Sequence, residues 1–402
     1  MITQIDVIVQ AIGDAEIVLL GEASHGTSEF YTLRAELSKR LILEKGFSFI
    51  AVEGDWPSCY TLNRFIKHDS DAPANVREAL RDFNRWPTWM WANKEVMDYA
   101  EWMYEYNSDK EAEKQIGFYG IDVYSLWESM IEILDHLKRT GSPELAAAQK
   151  AFDCFDPYKR DPQSYGASAA FLSEGCEDEV VKLLTDLQVK HKHRGAMDES
   201  ALSDELNALV AVNAERYYRS MVRGGPDSWN VRDRHMVEAL HRIKLFYGSG
   251  SKAIVWEHNT HIGDARATDM KAEGMVNVGQ LIREQYGDEH VFAIGFGTNR
   301  GTVLASDQWG GEMKTMKVPE AQEGSWEDLL HKAGACNKIL LFDQNVGPFL
   351  ETVGHRAIGV VYNSRYERGN YVPSVMAKRY DAFVYIDESN ALSPLNQKVL
   401  HF

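Results

Sequence analysis

Four cysteines in 402 residues, none of them in a Cys-x-x-Cys pair, leave no zinc or dithiol redox motif. Cys59, Cys154, Cys176 and Cys336 lie far apart and read as buried or incidental thiols, which fits a reducing cytoplasm. Positive charge is also scarce: 43 Lys and Arg stand against 60 Asp and Glu, a formal net charge of -17. Nothing here drives binding to nucleic-acid phosphates or anionic lipid, both of which need clustered Lys and Arg. No run approaches the roughly 18 apolar residues of a membrane-spanning helix. Met1 to Asp6 lacks a basic region leading into an apolar one, so no secretory signal is expected in the chain. Two nucleotide and nucleophile signatures are absent as well. There is no Gly-x-Ser-x-Gly elbow and no Gly-x-x-x-x-Gly-Lys-Ser/Thr loop. Gly295-Phe296-Gly297-Thr298-Asn299-Arg300-Gly301 places its third glycine one position late for a dinucleotide fingerprint and reads as a closely packed turn.

What remains is an ordinary globular composition, 44% hydrophobic and 26% charged, with length enough for a large core. Short apolar runs end repeatedly in polar groups. Glu16-Ile17-Val18-Leu19-Leu20 leads into Gly21-Glu22-Ala23-Ser24-His25-Gly26, Phe47 to Val52 leads into Glu53-Gly54-Asp55-Trp56-Pro57, and Ile116 to Ile121 leads into Asp122. Ala253 to Trp256 leads into Glu257-His258-Asn259-Thr260-His261; His290 to Ile294 and Ile339 to Phe342, before Asp343, look like further strands. Helix-period stretches such as Tyr31 to Leu43 lie between them, so the expected fold is α/β, a mostly parallel sheet flanked by helices. From about Glu128 to Phe246 strand-like runs vanish, and apolar stripes such as Leu183-Leu184-Leu187, Leu202-Leu206-Leu209-Val210 and Met236-Leu240-Ile243-Leu245 recur at helical spacing. Breakers at Gly141-Ser142-Pro143, Gly195 and Gly224-Gly225-Pro226 separate them. The expected organisation is an α/β core over 1–127 and 248–402, interrupted by a helical insertion over 128–247 that covers the carboxyl-end rim of the strands.

In such a sheet, Glu22, His25, Glu53, Asp122, His258 and His261 share one rim, where open α/β folds bind ligands. Independent surface residues need not fall after strands, so their convergence points to a shared site. The set supplies a general base, carboxylates to orient it and donors for a developing oxyanion. The alternatives are one divalent ion held by Glu22, His25, Glu53, His258 and His261, although the His-Glu-x-x-His helix of zincins is absent, and a non-catalytic protein whose rim residues only hold a small molecule. Metal-free acid/base chemistry, with no cofactor, is the preferred reading. Ser24 adjoins His25 in sequence, and neighbouring side chains on extended backbone point apart, so a backbone or capping role suits it better than a nucleophile's. Arg34 in the first long helix, and Arg232 with Asp233 in Asn230-Val231-Arg232-Asp233-Arg234-His235-Met236, either reach the rim or form solvated or structural pairs. The aromatic stretch from Trp86 to Tyr106, and Trp56, offer core packing or the wall of an apolar pocket.

Gly-Glu-Ala-Ser-His-Gly, Glu-Gly-Asp-Trp-Pro, Asn-x-Arg-Asp-x-x-Met and Trp-Glu-His-Asn-x-His, in that order and spacing, resemble the erythromycin esterase family over nearly the whole chain. The resemblance implies a hydrolase that opens a macrolide lactone by water attack, with a role in antibiotic resistance. It implies His25 as base, Glu22 and Glu53 as its carboxylates, Arg34 as the site arginine, and His258 and His261 as a second histidine pair. Asp122, Arg232 and Trp56 are expected to contact the small-molecule ester or lactone. The sequence specifies no oligomeric state.

Overall fold

The computed structural model describes residues 5–158, 161–171, 175–192, 198–342 and 346–395. Met1 to Gln4, Gly195 and Asp343 lie outside the described residues. The described residues include ten strands: β1 (Ile17–Leu20), β2 (Phe49–Asp55), β3 (Gly117–Asp122), β4 (Ala253–Trp256), β5 (Val291–Ala305), β6 (Lys314–Val318), β7 (Lys338–Leu341), β8 (Thr352–Arg356), β9 (Tyr371–Val375) and β10 (Ala382–Ser389). The main sheet runs β3-β2-β4-β1-β5-β10-β7, with β6 paired to the far half of β5, and β8 and β9 form a separate ribbon. Strands β1 to β5 and β10 pair in parallel, while β6 and β7 join antiparallel.

Burial on both faces explains why β1 to β4 read as nearly continuous apolar runs. Ile17 and Leu19 face a core shared with Phe49, Ala51, Tyr119 and Val255, whereas Val18 and Leu20 face the opposite core with Ile50, Val52 and Phe118. This is the strand period of two, and it fixes the register. On the second face pack the helices Ser28–Lys45, Trp56–Ile66 and Lys94–Asn107. On the first lie Leu202, Leu206, Leu209, Met236, Leu240 and Ile243, from the helices Glu199–Arg223 and Asp227–Tyr247. Leu245, the last member of the predicted third stripe, is exposed instead.

Among the described residues between β3 and β4 there are six α-helices, from Leu126–Thr140 to Asp227–Tyr247. They have a core of their own around Trp127, Ile133, Leu137, Tyr165, Leu183 and Ala211. A disulfide joins Cys154 to Cys176 within them, which corrects the reading of four unlinked thiols. Cys59 is buried and free, and Cys336 is exposed and free. The pairing joins the helix Leu145–Phe155 to the residue before the helix Glu177–Lys192, so no short Cys spacing announces it.

Two further corrections concern the second half of the sheet. The glycine-rich 295–301 stretch is not a turn: β5 continues through it to Ala305. A Cβ at Gly295 would strike the Tyr380 ring and one at Gly297 the Phe383 ring, so these glycines admit aromatic side chains against the strand. Strand β10, paired with β5 from Ala382 to Ser389, completes the centre of the sheet from a segment that the sequence reading left without a strand. Among the described residues no helix is long and apolar enough to cross a membrane.

Candidate active site

The four strands that carry the candidate residues lie side by side in the order β3-β2-β4-β1. Their carboxyl ends therefore deliver Asp122, Glu53, the 257–261 loop and the 21–26 loop to one rim. Close approach of these loops depends on missing side chains. A Cβ at Gly21 would collide with Asn259 Oδ1, and one at Gly26 with the carbonyl of Leu304. Asn259 in turn donates to the Phe296 carbonyl and accepts from the Phe296 N–H at 3.2 Å, which pins the second histidine loop to β5.

Glu22, 1% exposed, uses both oxygens. One accepts from His25 Nδ1 at 2.8 Å and the other from Arg34 Nη2 at 2.7 Å. Because a carboxylate only accepts, the neutral His25 carries its proton on Nδ1 and presents the Nε2 lone pair, 3.9 Å from Glu53 Oε1, at the cavity. Burial pushes the His25 pKa down, but the charge of Glu53 and the Glu22 hydrogen bond outweigh it, and the net shift is upward from 6.5. Arg34 is fully buried, its guanidinium 4.3 Å from the Tyr31 ring centroid and 4.8 Å from that of Trp256. It stands behind Glu22, outside the cavity lining.

The guanidinium that does reach the cavity is Arg232, near the start of the helix Asp227–Tyr247. Its Nε and Nη2 bind Asp122 at 2.9 and 2.7 Å, its Nη2 also binds Glu53 at 2.7 Å, and its Nη1 donates to His261 Nε2 at 2.9 Å. Since Nε2 of His261 accepts there, its proton sits on Nδ1 and is donated to the fully buried Asp233 at 2.9 Å. Burial alone would neutralise Glu53 and Asp122. Their surroundings win: the imidazoles of His261 and His25 and the guanidinium of Arg232 hold Glu53 well below the usual carboxylate range, and Arg232 lowers Asp122.

His258 has the opposite tautomer. Its Nδ1 accepts the Thr260 backbone N–H at 3.3 Å as the N-cap of the short helix Asn259–Ile262 and lies 2.8 Å from the Thr260 hydroxyl, which then donates to it, so the ring proton belongs on Nε2, a buried atom. Burial and the neighbouring His25 push its pKa well below 6.5. The His25 and His258 rings lie 4.9 Å apart between centroids, tilted by 41°. Glu53 connects the two loops by accepting the His258 N–H at 2.8 Å.

These groups form the floor of a cavity of about 400 Å³, which reaches Asp55 and Arg85 on one side. Its walls are largely aromatic and aliphatic, with Phe83, Met90, Trp91, Tyr124, Trp229 and Trp309 among them. The insertion contributes one wall through Trp229, which stacks on His261 at 4.5 Å. Tyr124, Trp229 and Arg85 carry no motif, and sequence reasoning missed them, while Asp55 lies within Glu-Gly-Asp-Trp-Pro but was given no role. Trp56 does not line the cavity; it stacks between Tyr60 and Tyr119 and donates to Ser203 Oγ at 3.1 Å. Ser24 bonds Thr27 Oγ1 at 2.5 Å.

Among the described residues no group of three or more His, Cys, Asp or Glu is placed to hold a metal ion. Arg232 already stands where Glu53, Asp122 and His261 converge, and His261 has both nitrogens engaged.

Fold and cluster define the class: an α/β protein with a histidine and carboxylate site at adjacent strand ends. The erythromycin esterase profile matches residues 42–389, and the chain belongs to that family. It is 24% identical over 405 residues to an erythromycin esterase type II of Escherichia coli, covering 94% of this chain and 91% of the relative. Solved structures agree on the fold. A protein from Bacillus cereus superposes with a TM-score of 0.81 at 19% identity, covering 99% of this chain and 94% of its own. An erythromycin esterase mutant in its open conformation superposes at 0.70 and 16% identity, covering 99% and 96%. Family membership supports a hydrolase acting on a small molecule.

Proposed function

We propose that the protein hydrolyses a carboxylic ester or lactone by general-base activation of water, without an acyl-enzyme. One observation carries this reading: two adjacent imidazoles with opposite tautomers and opposite pKa shifts. Pairs of titratable groups whose environments push them apart divide into base and acid. His25 Nε2 takes a proton from water, and the oxygen attacks the carbonyl carbon. His258 Nε2–H, kept neutral by burial, donates to the oxyanion. Collapse breaks the carbon to alkoxide bond, and the leaving oxygen receives the proton from His25. Glu22 holds the His25 tautomer, with Arg34 fixing Glu22 from behind. His261 and Asp233 orient Arg232, whose charge keeps Glu53 and Asp122 ionised beside the imidazoles.

A product-detecting screen of simple esters, lactones and macrolides tests the reading, with His25→Ala as control. Hydrolysis by the wild type and a loss of about 10²- to 10⁴-fold in the variant is expected. Equal turnover by a folded His25→Ala protein would remove the base. Chelation is expected to leave turnover unchanged; loss on chelation, restored by a divalent ion, would replace this chemistry with a metal-dependent one.

A further inference from the structure

We infer that the substrate is a compact, uncharged ester or lactone with an apolar, ring-shaped body, rather than a bulky or cationic one. This rests on the hydrolase reading and deepens it. Three features of the cavity carry it.

The first is size. About 400 Å³ stands near the lower end of the range of roughly 300–1,000 Å³ typical of small-molecule sites. A glycosylated macrolactone belongs at the other end. The second is charge. The chain's net charge of -17 would suggest a cation-seeking site, but the cavity's carboxylates are already engaged. Asp55 on the wall is held by Arg85 through two contacts, Nε to Oδ2 at 2.5 Å and Nη2 to Oδ1 at 2.6 Å. Asp122 and Glu53 share Arg232. The excess negative charge is thus kept on the floor among His25, His258 and His261, where the reacting carbonyl must sit, and the walls offer a cationic substituent no spare carboxylate. The third is the wall itself. Phe83, Met90, Tyr124, Trp229, Trp309 and Val360 present apolar surface, and Trp309 at the mouth is 69% exposed beside Trp86, with 4.5 Å between ring centroids. The two rings are tilted by 57°, and aromatic surface of this kind takes up the apolar body of a ring.

Two matched pairs of substrates test the inference. Dihydrocoumarin against erythromycin varies size and charge among lactones, and dimethylbutyl acetate against acetylcholine varies charge at constant shape. The expected result is a kcat/KM at least about tenfold higher for the compact neutral member of each pair, a difference of about 1.4 kcal/mol in transition-state binding. A preference for erythromycin or for acetylcholine would overturn it. The Arg85→Gln variant sharpens the charge arm. Freeing Asp55 is expected to raise kcat/KM for acetylcholine relative to dimethylbutyl acetate, and an unchanged ratio would contradict the account of the paired wall. Binding keeps the two readings separable. In His25→Ala protein, quenching of tryptophan fluorescence by the lactam analogue of dihydrocoumarin is expected to saturate at lower concentration than quenching by erythromycin. That order with no hydrolysis of any ester by the wild type would fail the hydrolase reading and support the size and charge argument; the reverse order would overturn the latter.

Discussion

Two buried histidine and glutamate pairs stand at opposite sides of the same loop, and only one of them lines the cavity. His25 binds Glu22 at 2.8 Å, and His355 binds Glu327 at 2.5 Å. In the first, the remaining nitrogen faces a cavity beside Glu53, and the pKa is raised. In the second, the remaining nitrogen meets the Asn259 amide at 3.2 Å, the ring is wholly buried, and burial pulls the pKa below 6.5 despite Glu327, with Arg379 and Arg356 adding to the fall. A carboxylate partner therefore does not make an imidazole a catalyst. A free second nitrogen and a net negative surround do. His355 instead supports the site from beneath, through Asn259.

The comparison breaks most sharply at His25. His25→Ala is expected to lower kcat by about 10²- to 10⁴-fold with a far smaller change in thermal stability, whereas similar activity loss in His355→Gln would erase the distinction. Next comes the donor. His258→Ala is expected to cost about 10²- to 10³-fold in kcat with KM little changed, and a pure KM effect would show that His258 only binds. Glu22→Gln follows, at about tenfold to a hundredfold, on the analogy of partners that fix a histidine's tautomer. It carries a pH signature too. His25 works when neutral, so the rate rises with pH through a pKa above 6.5, and removal of the Glu22 charge moves that acid limb to lower pH. An unmoved limb would detach Glu22 from the base.

The smallest catalytic effect is expected at His355→Gln, where kcat should change by only a few-fold. Its effect is on the fold: weakening the hydrogen bond that the imidazole donates to the Glu327 carboxylate costs about 1.5–3 kcal/mol, read from urea unfolding. The pH dependence has a definite sign. His258 and His355 both have folded pKa values below 6.5, so the stability that their neutral forms contribute is present above 6.5 and lost as pH falls toward the folded values. His25, raised in the fold, contributes in the opposite sense, its protonated form stabilising below 6.5 and that gain fading as pH rises through the folded value.

Much of the site was readable because parallel strands end in short loops: Glu22, Glu53, Asp122 and the 257–261 loop each follow an apolar run, and sheet order brings those ends together. Which arginine faces the cavity was not readable. Arg34 and Arg232 both lie on helices, and only the packing of each helix decides that one stands behind Glu22 while the other enters the floor. The His355 and Glu327 pair joins residues 28 apart with no motif between them. Strand β10 is an apolar run like the others, Ala-Phe-Val-Tyr-Ile, and leads into Asp387 and Glu388, of which Asp387 pairs with His331 and neither lines the cavity.

The division of labour between the two imidazoles is open to direct observation by nitrogen-15 NMR of the histidine rings across pH. The account predicts that neutral His25 carries its proton on Nδ1 and titrates above 6.5, while His258 stays neutral with its proton on Nε2 to well below that pH. A His258 that protonates before His25 as pH falls, or that carries its neutral proton on Nδ1, would contradict it.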